Sequence, residues 1–198
     1  MSAAPDTIRG QIIAACAADI RMMGAKRMTI LAVAAKLGMS HTNIYRFFAH
    51  KRALTDAVLN LWLRGLEVRL AEIIEGPDPA DDKLERFLTT LTRAYAEALA
   101  QDEMVFRLLA NPEPGAEEPT RHQKRVLDFL LRIIEEGMAT RLFGGSDARR
   151  AAVLVLDVTH RFSNPATALQ GLGDSVALAA RRDRLIRWAV RIAISNQK

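Results

Sequence analysis

Three adjacent side chains, His41, Thr42 and Asn43, could form specific hydrogen bonds with the edges of nucleic-acid bases. An Asn amide can pair with adenine through two hydrogen bonds, a Thr hydroxyl can bond a base edge or contact a thymine methyl, and a His ring can donate to a base or a phosphate. The next polar residues have donors or positive charges that suit phosphate groups. They are Tyr45, Arg46, His50 and Lys51.

A short amphipathic helix is predicted immediately before this stretch. In TILAVAAKLGMS, apolar side chains recur three and four residues apart at Ile30, Val33, Ala34 and Leu37, which is the spacing of one helix face. Thr29 precedes them and is a suitable N-cap, because its hydroxyl can accept a backbone N–H of the first turn. The pattern predicts a second helix over residues 29–37.

A tight turn separates this helix from the next. Gly38 follows the last apolar position, where a left-handed backbone costs glycine little, and Ser40 can cap a third helix two residues later. Two short helices joined so closely must cross steeply, and the small side chain of Ala34 permits their approach. The pair therefore has the features of a helix-turn-helix.

The third helix is predicted over residues 40–47. Ile44 and Phe48 are spaced i, i+4 and would face inward with Met39, which leaves the side chains at positions 41–43 on the presented end. In a helix-turn-helix, the N-terminal residues of this helix contact base edges in the major groove. The alternative is a helical hairpin whose polar end simply faces solvent.

The positive charge of the chain is concentrated in its N-terminal third. Residues 1–70 contain 10 Lys and Arg against 4 Asp and Glu, whereas the remaining residues contain 18 against 19. A basic segment joined to a nearly neutral one suggests a polyanionic partner for the basic segment alone. A solvated basic surface would explain the same asymmetry.

Composition and motifs limit the other functions that the chain could have. The single cysteine, Cys16, allows neither a disulfide framework nor a cysteine-based zinc site. There is no Gly-rich phosphate loop, nucleophile elbow or metal-binding His cluster, so we expect no catalytic site, metal or cofactor. No apolar run approaches the roughly 18 residues of a membrane span, and no signal-peptide pattern is present, so we expect a cytoplasmic protein.

Helical periodicity extends along almost the whole chain, and no segment has the alternation of a convincing strand. The sequence predicts an all-α protein of about nine helices. Breaks are expected at residues 76–79, 111–119, 144–145 and 163–174. A long fourth helix over residues 51–75 would link a helix-turn-helix DNA-binding domain, residues 1–52, to a helical C-terminal domain, residues 53–198.

The spacing of eight residues resembles that of the TetR family of bacterial transcriptional regulators. A Thr opens the second helix, Ala-x3-Gly-x-Ser spans the turn, and Tyr-x2-Phe-x2-Lys-x2-Leu follows. The matching residues are Thr29, Ala34, Gly38, Ser40, Tyr45, Phe48, Lys51 and Leu54. The resemblance covers roughly residues 8–60, and the remaining chain agrees only in length and helical character.

The resemblance implies a homodimer that binds a near-palindromic DNA operator. It also implies a small-molecule effector, bound in the C-terminal domain, that weakens DNA binding, with repression as the commoner outcome. Carried over position by position, it implies that His41, Thr42 and Asn43 face the bases. The residues that would hold the DNA backbone are Thr29, Ser40, Tyr45, Arg46 and Lys51.

Two positions depart from the family pattern. Asp19 stands where first helices of this kind usually carry an apolar residue, and Ala25 stands where an aromatic residue is common. An ion pair of Asp19 with Arg46 or Arg21 would accommodate the carboxylate, and a slight rotation of the first helix is the alternative. Both departures concern packing and leave the three predicted base-facing residues unaffected.

Ten residues of the C-terminal two thirds are candidates for an effector pocket. Most are apolar or aromatic side chains, for which packing in a core is the alternative to ligand contact. For His160, on an apolar helix, the alternative is a core histidine with satisfied hydrogen bonds. The candidates are Trp62, Phe87, Leu91, Tyr95, Phe106, Phe129, Ile133, His160, Phe162 and Asn164.

The last two long helices are predicted to form the dimer interface. In the final helix the apolar positions make a stripe wider than one intrachain contact requires, with Trp188 at its margin. Two such helices from each of two chains could bury it around a two-fold axis. A dimeric DNA-binding protein without a small-molecule ligand, whose C-terminal domain only dimerises or recruits a partner, is the alternative function.

Overall fold

The computed structural model describes residues 7–170 and 175–195. Within these ranges the chain forms ten helices and no strand, which confirms the predicted all-α fold. The helices are α1 (Ile8–Met23), α2 (Ile30–Lys36), α3 (His41–Tyr45), α4 (Lys51–Glu75), α5 (Ala80–Gln101), α6 (Glu103–Ala110), α7 (Glu117–Ala139), α8 (Ala148–Ser163), α9 (Pro165–Leu169) and α10 (Ser175–Ser195).

The short helix α9 lies within the segment that was predicted to be a continuous break. Asn164 ends α8 and also caps α9, because its side-chain oxygen accepts the backbone N–H groups of Ala166 and Thr167 at 3.0 and 3.3 Å. Pro165 occupies the first helical position, where the missing N–H is not needed. The chain therefore changes direction at one residue and resumes a helix at once.

The described chain packs as two compact units. The first comprises the described residues of Met1–Gly65 together with Ala98–Arg121, and the second comprises those of Leu66–Glu97 and His122–Lys198. The domain boundary predicted between residues 52 and 53 stays a prediction. The two packing units divide the chain at other positions. Helices α4, α5 and α7 each contribute residues to both units.

The core of the first unit holds the helix-turn-helix. Cys16 is fully buried in it, and burial, followed by the negative charge of Asp19, raises the pKa of its thiol to about 12, so the thiol is unreactive. The buried apolar side chains come from α1 to α4, from the connections between these helices, and from α6. They are Ile12, Ile13, Cys16, Ala17, Ile20, Met28, Ile30, Val33, Ala34, Ile44, Phe48, Leu54, Val58 and Val105.

The core of the second unit is built mainly from α4, α5 and α7, with α8 packed against α10. Its fully buried aliphatic residues recur at helical spacing and include Leu70, Leu84, Leu88, Leu130 and Ile134. Among the described residues, no helix combines the length and the apolar character that crossing a bilayer requires.

Candidate nucleic-acid interface

The turn between α2 and α3 has the geometry that the sequence predicts. The backbone N–H groups of Gly38 and Met39 donate to the carbonyls of Ala35 and Ala34 at 3.2 and 3.1 Å, which is the hydrogen-bond pattern of a Schellman motif. Gly38 has a φ of +63°, in the left-handed region that favours glycine. This turn determines the direction in which α3 leaves α2.

Helix α3 starts at a capped residue and is anchored by two buried side chains. The Ser40 hydroxyl oxygen accepts the backbone N–H of Asn43 at 3.3 Å, as an N-cap does. Ile44 is fully buried and Phe48 almost so, while Met39 is half-buried. The predicted inward-facing set is therefore observed.

The three predicted base-facing residues occupy the first turn of α3. His41, Thr42 and Asn43 are all exposed. The His41 ring lies edge-on to Tyr45, with 6.3 Å between the ring centroids and an interplanar angle of 86°. Donors and acceptors at three successive positions thus face solvent from a single helical turn.

The hydroxyls of Thr29 and Ser40 both act as helix caps. Thr29 Oγ1 accepts the backbone N–H of Ala32 at 3.1 Å, and Ser40 caps α3 in the same way. Capping uses only a lone pair of each oxygen, so each hydroxyl proton can still donate to an external anion. Both residues are exposed, and their predicted contact with a DNA backbone is compatible with capping.

His50 and Lys51 lie at the start of α4. His50 Nδ1 accepts the backbone N–H of Ala53 at 3.0 Å, so in the neutral ring Nε2 carries the proton and can donate outward. Lys51 Nζ donates to the carbonyl of Lys26 at 3.2 Å. His50 is therefore a helix cap, a role that sequence reasoning had not given it, and Lys51 is linked to the α1–α2 connection.

Tyr45 and Arg46 are exposed beyond the base-facing turn. Arg9 of α1 is also exposed, and its guanidinium carbon lies 4.9 Å from the centroid of the Phe48 ring. This contact has the distance of a cation–π interaction. The sequence analysis did not single out Arg9. Only the excess of positive charge in the N-terminal third pointed to it.

The predicted partners of Asp19 are wrong. Its carboxylate is fully buried and pairs with Lys36 of α2, not with Arg46 or Arg21, and Arg21 pairs with Asp102 at 2.6 Å. The second carboxylate oxygen of Asp19 has no hydrogen-bond partner among the described residues. The pair joins α1 to α2, where the family pattern would place an apolar contact.

The structure brings together two of the ten effector-pocket candidates. Trp62 and Phe106 are in the first unit, with ring centroids 6.2 Å apart and planes at 87°. Both line a cavity of about 400 Å³ between residues of α1, α4, α5 and α6. The other walls are mostly apolar, and the ion-paired residues Arg21 and Asp102 also line it.

The other eight candidates lie in the second unit, and none of them lines the cavity beside Trp62 and Phe106. Four of them, Phe87, Leu91, Tyr95 and Ile133, are buried in its core, and Phe129, Phe162 and Asn164 are half-buried. A cavity of about 10 Å³ between residues of α7, α8 and α10 is large enough for a water molecule only. Contact of these eight candidates with a ligand stays a prediction.

The interpretation of His160 as a core histidine is wrong for this structure, because the residue is exposed. It lies in the last turn of α8, and its carbonyl accepts the backbone N–H of Asn164 at 3.0 Å. The apolar character of the surrounding sequence reflects the face of α8 that packs inward, and position 160 is on another face.

A buried polar cluster in the second unit was not predicted as a cluster. Nδ1 of His122 lies 2.8 Å from Glu67 Oε1, Nε2 lies 2.9 Å from the hydroxyl of Tyr95, and Arg125 pairs with the other oxygen of Glu67. Burial raises the pKa of Glu67, but the hydrogen bond and charge of His122 and the charge of Arg125 outweigh it, so the pKa is lowered overall. Tyr95, Glu67 and His122 belong to three different helices, so no short sequence pattern could reveal the cluster.

Among the described residues, no group of three or more His, Cys, Asp or Glu side chains could hold a metal ion. The first unit has an exposed surface, at the first turn of α3 and the residues around it, that can donate and accept hydrogen bonds. Its exposed donors and cations are suited to an anionic polymer.

Comparison with known proteins gives a family and a fold. A family model described as "Tetracyclin repressor-like, C-terminal domain" matches residues 80–181. No curated protein matches the chain.

Solved structures of similar fold cover nearly the whole chain. A TetR/AcrR-family transcriptional regulator from Thermobifida fusca is 20% identical with a TM-score of 0.67, and the match covers 96% of this chain and 98% of that one. The TetR-family regulator PfmR from Thermus thermophilus is 21% identical with a TM-score of 0.58, covering 89% and 97%. FadR from Bacillus subtilis, solved in complex with stearoyl-CoA, is 18% identical with a TM-score of 0.63, covering 94% and 97%.

The family model matches just over half of the chain and concerns its C-terminal part, while the residue pattern of the TetR resemblance lies in the N-terminal part. The two observations are independent and agree. The chain belongs to the TetR family of transcriptional regulators.

Proposed function

We propose that the protein is a homodimeric transcriptional repressor that binds a near-palindromic operator in double-stranded DNA. The observation that carries the proposal is the exposure of His41, Thr42 and Asn43 on the first turn of a helix anchored by Ile44 and Phe48. In a helix-turn-helix this turn enters the major groove. Its side chains therefore read the bases.

The residues around this turn would position the protein on the phosphates. The hydroxyls of Thr29 and Ser40 keep a proton to donate, and Tyr45 and Arg46 are exposed. His50 and Lys51 add donors at the N-terminus of α4, where the helix dipole also favours an anion. These contacts determine register and orientation and are independent of the base sequence.

The proposed dimer interface lies on α8 and α10. Ile186, Ala189, Val190 and Ala193 of α10 are buried within the second unit, whereas Trp188 is 56% exposed. On α8, Val153 and Leu154 are exposed as well. Apolar side chains left exposed on two helices that pack together would be covered by the same surface of a second chain.

We further propose that a small molecule releases the protein from DNA. The cavity lined by Trp62 and Phe106 supports this proposal, because its volume of about 400 Å³ falls within the range of small-molecule sites. The structurally similar FadR was solved with stearoyl-CoA bound. An effector with an apolar portion would fit the apolar walls of the cavity.

Selection from a random pool of double-stranded DNA tests the DNA proposal. The wild-type chain should enrich a near-palindromic sequence, and the double variant Thr42→Ala/Asn43→Ala should enrich a different or less defined one. A double variant of exposed residues outside the site, Arg93→Ala/Lys124→Ala, serves as the control and should enrich the wild-type sequence. Failure of the wild-type chain to enrich any sequence would refute the proposal.

A metabolite screen against the selected operator tests the effector proposal. An effector should release the DNA from the wild-type chain, and Ala14→Phe, at an exposed position in the lining of the cavity beside Trp62, should prevent that release while preserving operator binding. A screen in which no compound changes operator binding would favour a dimeric DNA-binding protein without a small-molecule ligand.

A further inference from the structure

A second and larger cavity lies within the first unit, beside the helix-turn-helix. Its volume is about 550 Å³, which is in the range of small-molecule sites. The walls are the connection between α1 and α2, one turn of α4, and α6 with the segment that follows it.

The walls of this cavity are largely apolar and adaptable. Met23 and Met104 contribute flexible thioether side chains that are each more than a third exposed, and Ala25, Leu108 and Ala116 complete the apolar lining. Methionine fills irregular spaces and adjusts to different shapes, which suits a surface that receives a ligand. The cavity can therefore accept an apolar molecular body.

Two adjacent cations in the walls are available to an anion. Lys26 and Arg27 line the cavity, and neither side chain has a hydrogen bond or ion pair with a described residue. The third cation, Arg107, is neutralised by Glu103, with Nε 2.9 Å from Oε1. Two adjacent cations on one wall therefore keep donors that no described residue uses, and these donors are available to a ligand.

Two carboxylates, Asp56 and Glu113, also line the cavity, and neither forms an ion pair with Lys26, Arg27 or another described residue. Asp56 already accepts the backbone N–H of Glu117 at 3.2 Å, so one of its oxygens faces the start of α7. Glu113 is exposed and lies on the segment after α6. The cations follow each other in the α1–α2 connection, where they can bind one anionic group together.

We propose that this cavity binds a small molecule with an apolar body and a carboxylate or other anionic group, and that its occupation weakens DNA binding. The anionic group pairs with Lys26 and Arg27, and the body contacts the two methionines. The site is distinct from the cavity beside Trp62. The proposed binding of the molecule is independent of the proposed function, whereas its proposed effect on DNA binding rests on that function.

Hydrogen bonds connect the walls of the cavity to the start of α4. Lys51 Nζ donates to the carbonyl of Lys26 at 3.2 Å, and Arg52 Nη1 donates to the carbonyl of Pro114 at 2.9 Å. One turn later, Asp56 accepts the N–H of Glu117. A ligand that displaces the α1–α2 connection would therefore break or move the hydrogen bond that holds the Lys51 side chain, which is proposed to contact phosphate.

Calorimetry on the full chain without DNA tests the binding site. The probes are decanoate, decanamide and decylammonium, which share an alkyl chain and differ in charge. Decanoate should bind about tenfold or more tightly than decylammonium, because only decanoate can accept charge-assisted hydrogen bonds from the two cations. Equal affinity for the two ions would overturn the assignment to an anion, and absence of decanoate binding would overturn the site.

Variants test the location of the site. Lys26→Gln/Arg27→Gln should weaken decanoate binding about tenfold, whereas Arg93→Gln/Lys124→Gln, which removes two exposed cations elsewhere, should leave it unchanged. Ala116→Phe fills the cavity from the half-exposed segment after α6 and should abolish binding. With methionine methyl groups labelled for NMR, decanoate should shift the signals of Met23 and Met104 but not Met138. A shift of Met138 alone would overturn the location.

The effect on DNA is measured last, on an operator selected with the wild-type chain. Decanoate should weaken operator binding several-fold in the wild-type chain and should have no effect in Ala116→Phe. Binding of decanoate without any change in operator affinity would overturn the regulatory part while leaving the site intact. If no operator can be selected, the proposed function fails, and the calorimetry still decides whether the site exists.

Discussion

The hydroxyl oxygen of Tyr95 lies 2.9 Å from Nε2 of His122, and both side chains are almost completely shielded from solvent. The other nitrogen of the imidazole faces the carboxylate of Glu67 at 2.8 Å. A carboxylate only accepts hydrogen bonds, so Nδ1 is the donor. Burial, and then the negative charge of Glu67, raise the pKa of Tyr95, which keeps its hydroxyl protonated. The second unit therefore contains a buried hydrogen-bonded chain that ends on an ionised group.

The lowered pKa of Glu67 predicts a loss of stability in acid. The unfolded chain takes up this proton near pH 4.5, whereas the folded chain takes it up only at lower pH. The contribution is complete above the ordinary pKa and is lost as pH falls through the folded value. Urea unfolding followed by circular dichroism should show a steeper decline below pH 4.5 in wild type than in Glu67→Gln. Glu85→Gln, at an exposed position, should behave like wild type, and identical slopes for Glu67→Gln and wild type would contradict the prediction.

The ion pair between Asp19 and Lys36 predicts a coupled effect on stability. Lys36→Ala should lower the free energy of unfolding by about 3 kcal/mol, because it leaves the buried carboxylate without its partner. Adding Asp19→Asn should recover part of this loss, since a neutral amide costs less to bury than a charge. The double-mutant cycle is measured by chemical unfolding, with Lys124→Ala as the exposed control. Simple additivity of the two substitutions would show that the pair contributes nothing.

Two glycines of the first unit should respond to alanine in opposite directions. A Cβ at Gly38 or at Gly65 would meet no atom within 4 Å, so packing does not distinguish them. Gly38 has a φ of +63°, and alanine there should cost about 1 kcal/mol because of backbone strain. Gly65 lies inside α4, and alanine there should stabilise the protein by about 0.5–1 kcal/mol. Thermal and urea unfolding measure both, and destabilisation by Gly65→Ala would be inconsistent with this account.

Base reading and phosphate binding should be separable by mutation. Asn43→Ala should cost about 1–3 kcal/mol on the selected operator and relax the preference at one base step, because a base-edge contact is lost. Lys51→Ala should weaken all DNA sequences alike and reduce the salt slope by about one unit. Fluorescence anisotropy at several salt concentrations, on operator and on random DNA, measures both effects. Equal losses on the two DNAs for Asn43→Ala would remove it from the base-reading residues.

Two equally exposed apolar residues test the dimer interface. Trp188 of α10 and Val68 of α4 are each 56% exposed. Trp188→Glu should yield a monomer, because a charge would be buried without a partner in the proposed interface. Val68→Glu should leave the dimer intact. Sedimentation velocity distinguishes the two species, and a dimeric Trp188→Glu variant would place the interface elsewhere.

Local signals predicted the helix-turn-helix in detail. The caps at Thr29 and Ser40, the left-handed Gly38 and the inward-facing Ile44 all depend on residues within one or two helical turns, so a short stretch contains the information. The all-α fold followed for the same reason, because helical periodicity is a local property.

Contacts between distant segments were not predictable in the same way. Asp19 found its partner 17 positions away on another helix, and Glu67 and His122 are 55 positions apart. Several cations could have reached Asp19 on the basis of sequence, and only the packing of α1 against α2 selects Lys36. The two cavities of the first unit likewise depend on segments that are far apart in the chain, so the effector candidates could be proposed only by residue type.

Helix α3 has only five residues, from His41 to Tyr45. An isolated peptide of this length has no tendency to fold, because helix nucleation is unfavourable and short helices are marginal in water. The proposed recognition surface therefore depends on the Schellman turn and on the two buried anchors for its existence. Engineering of a new binding preference can exchange the three exposed side chains within this scaffold, whereas transfer of the helix alone to another protein would transfer a sequence without its conformation.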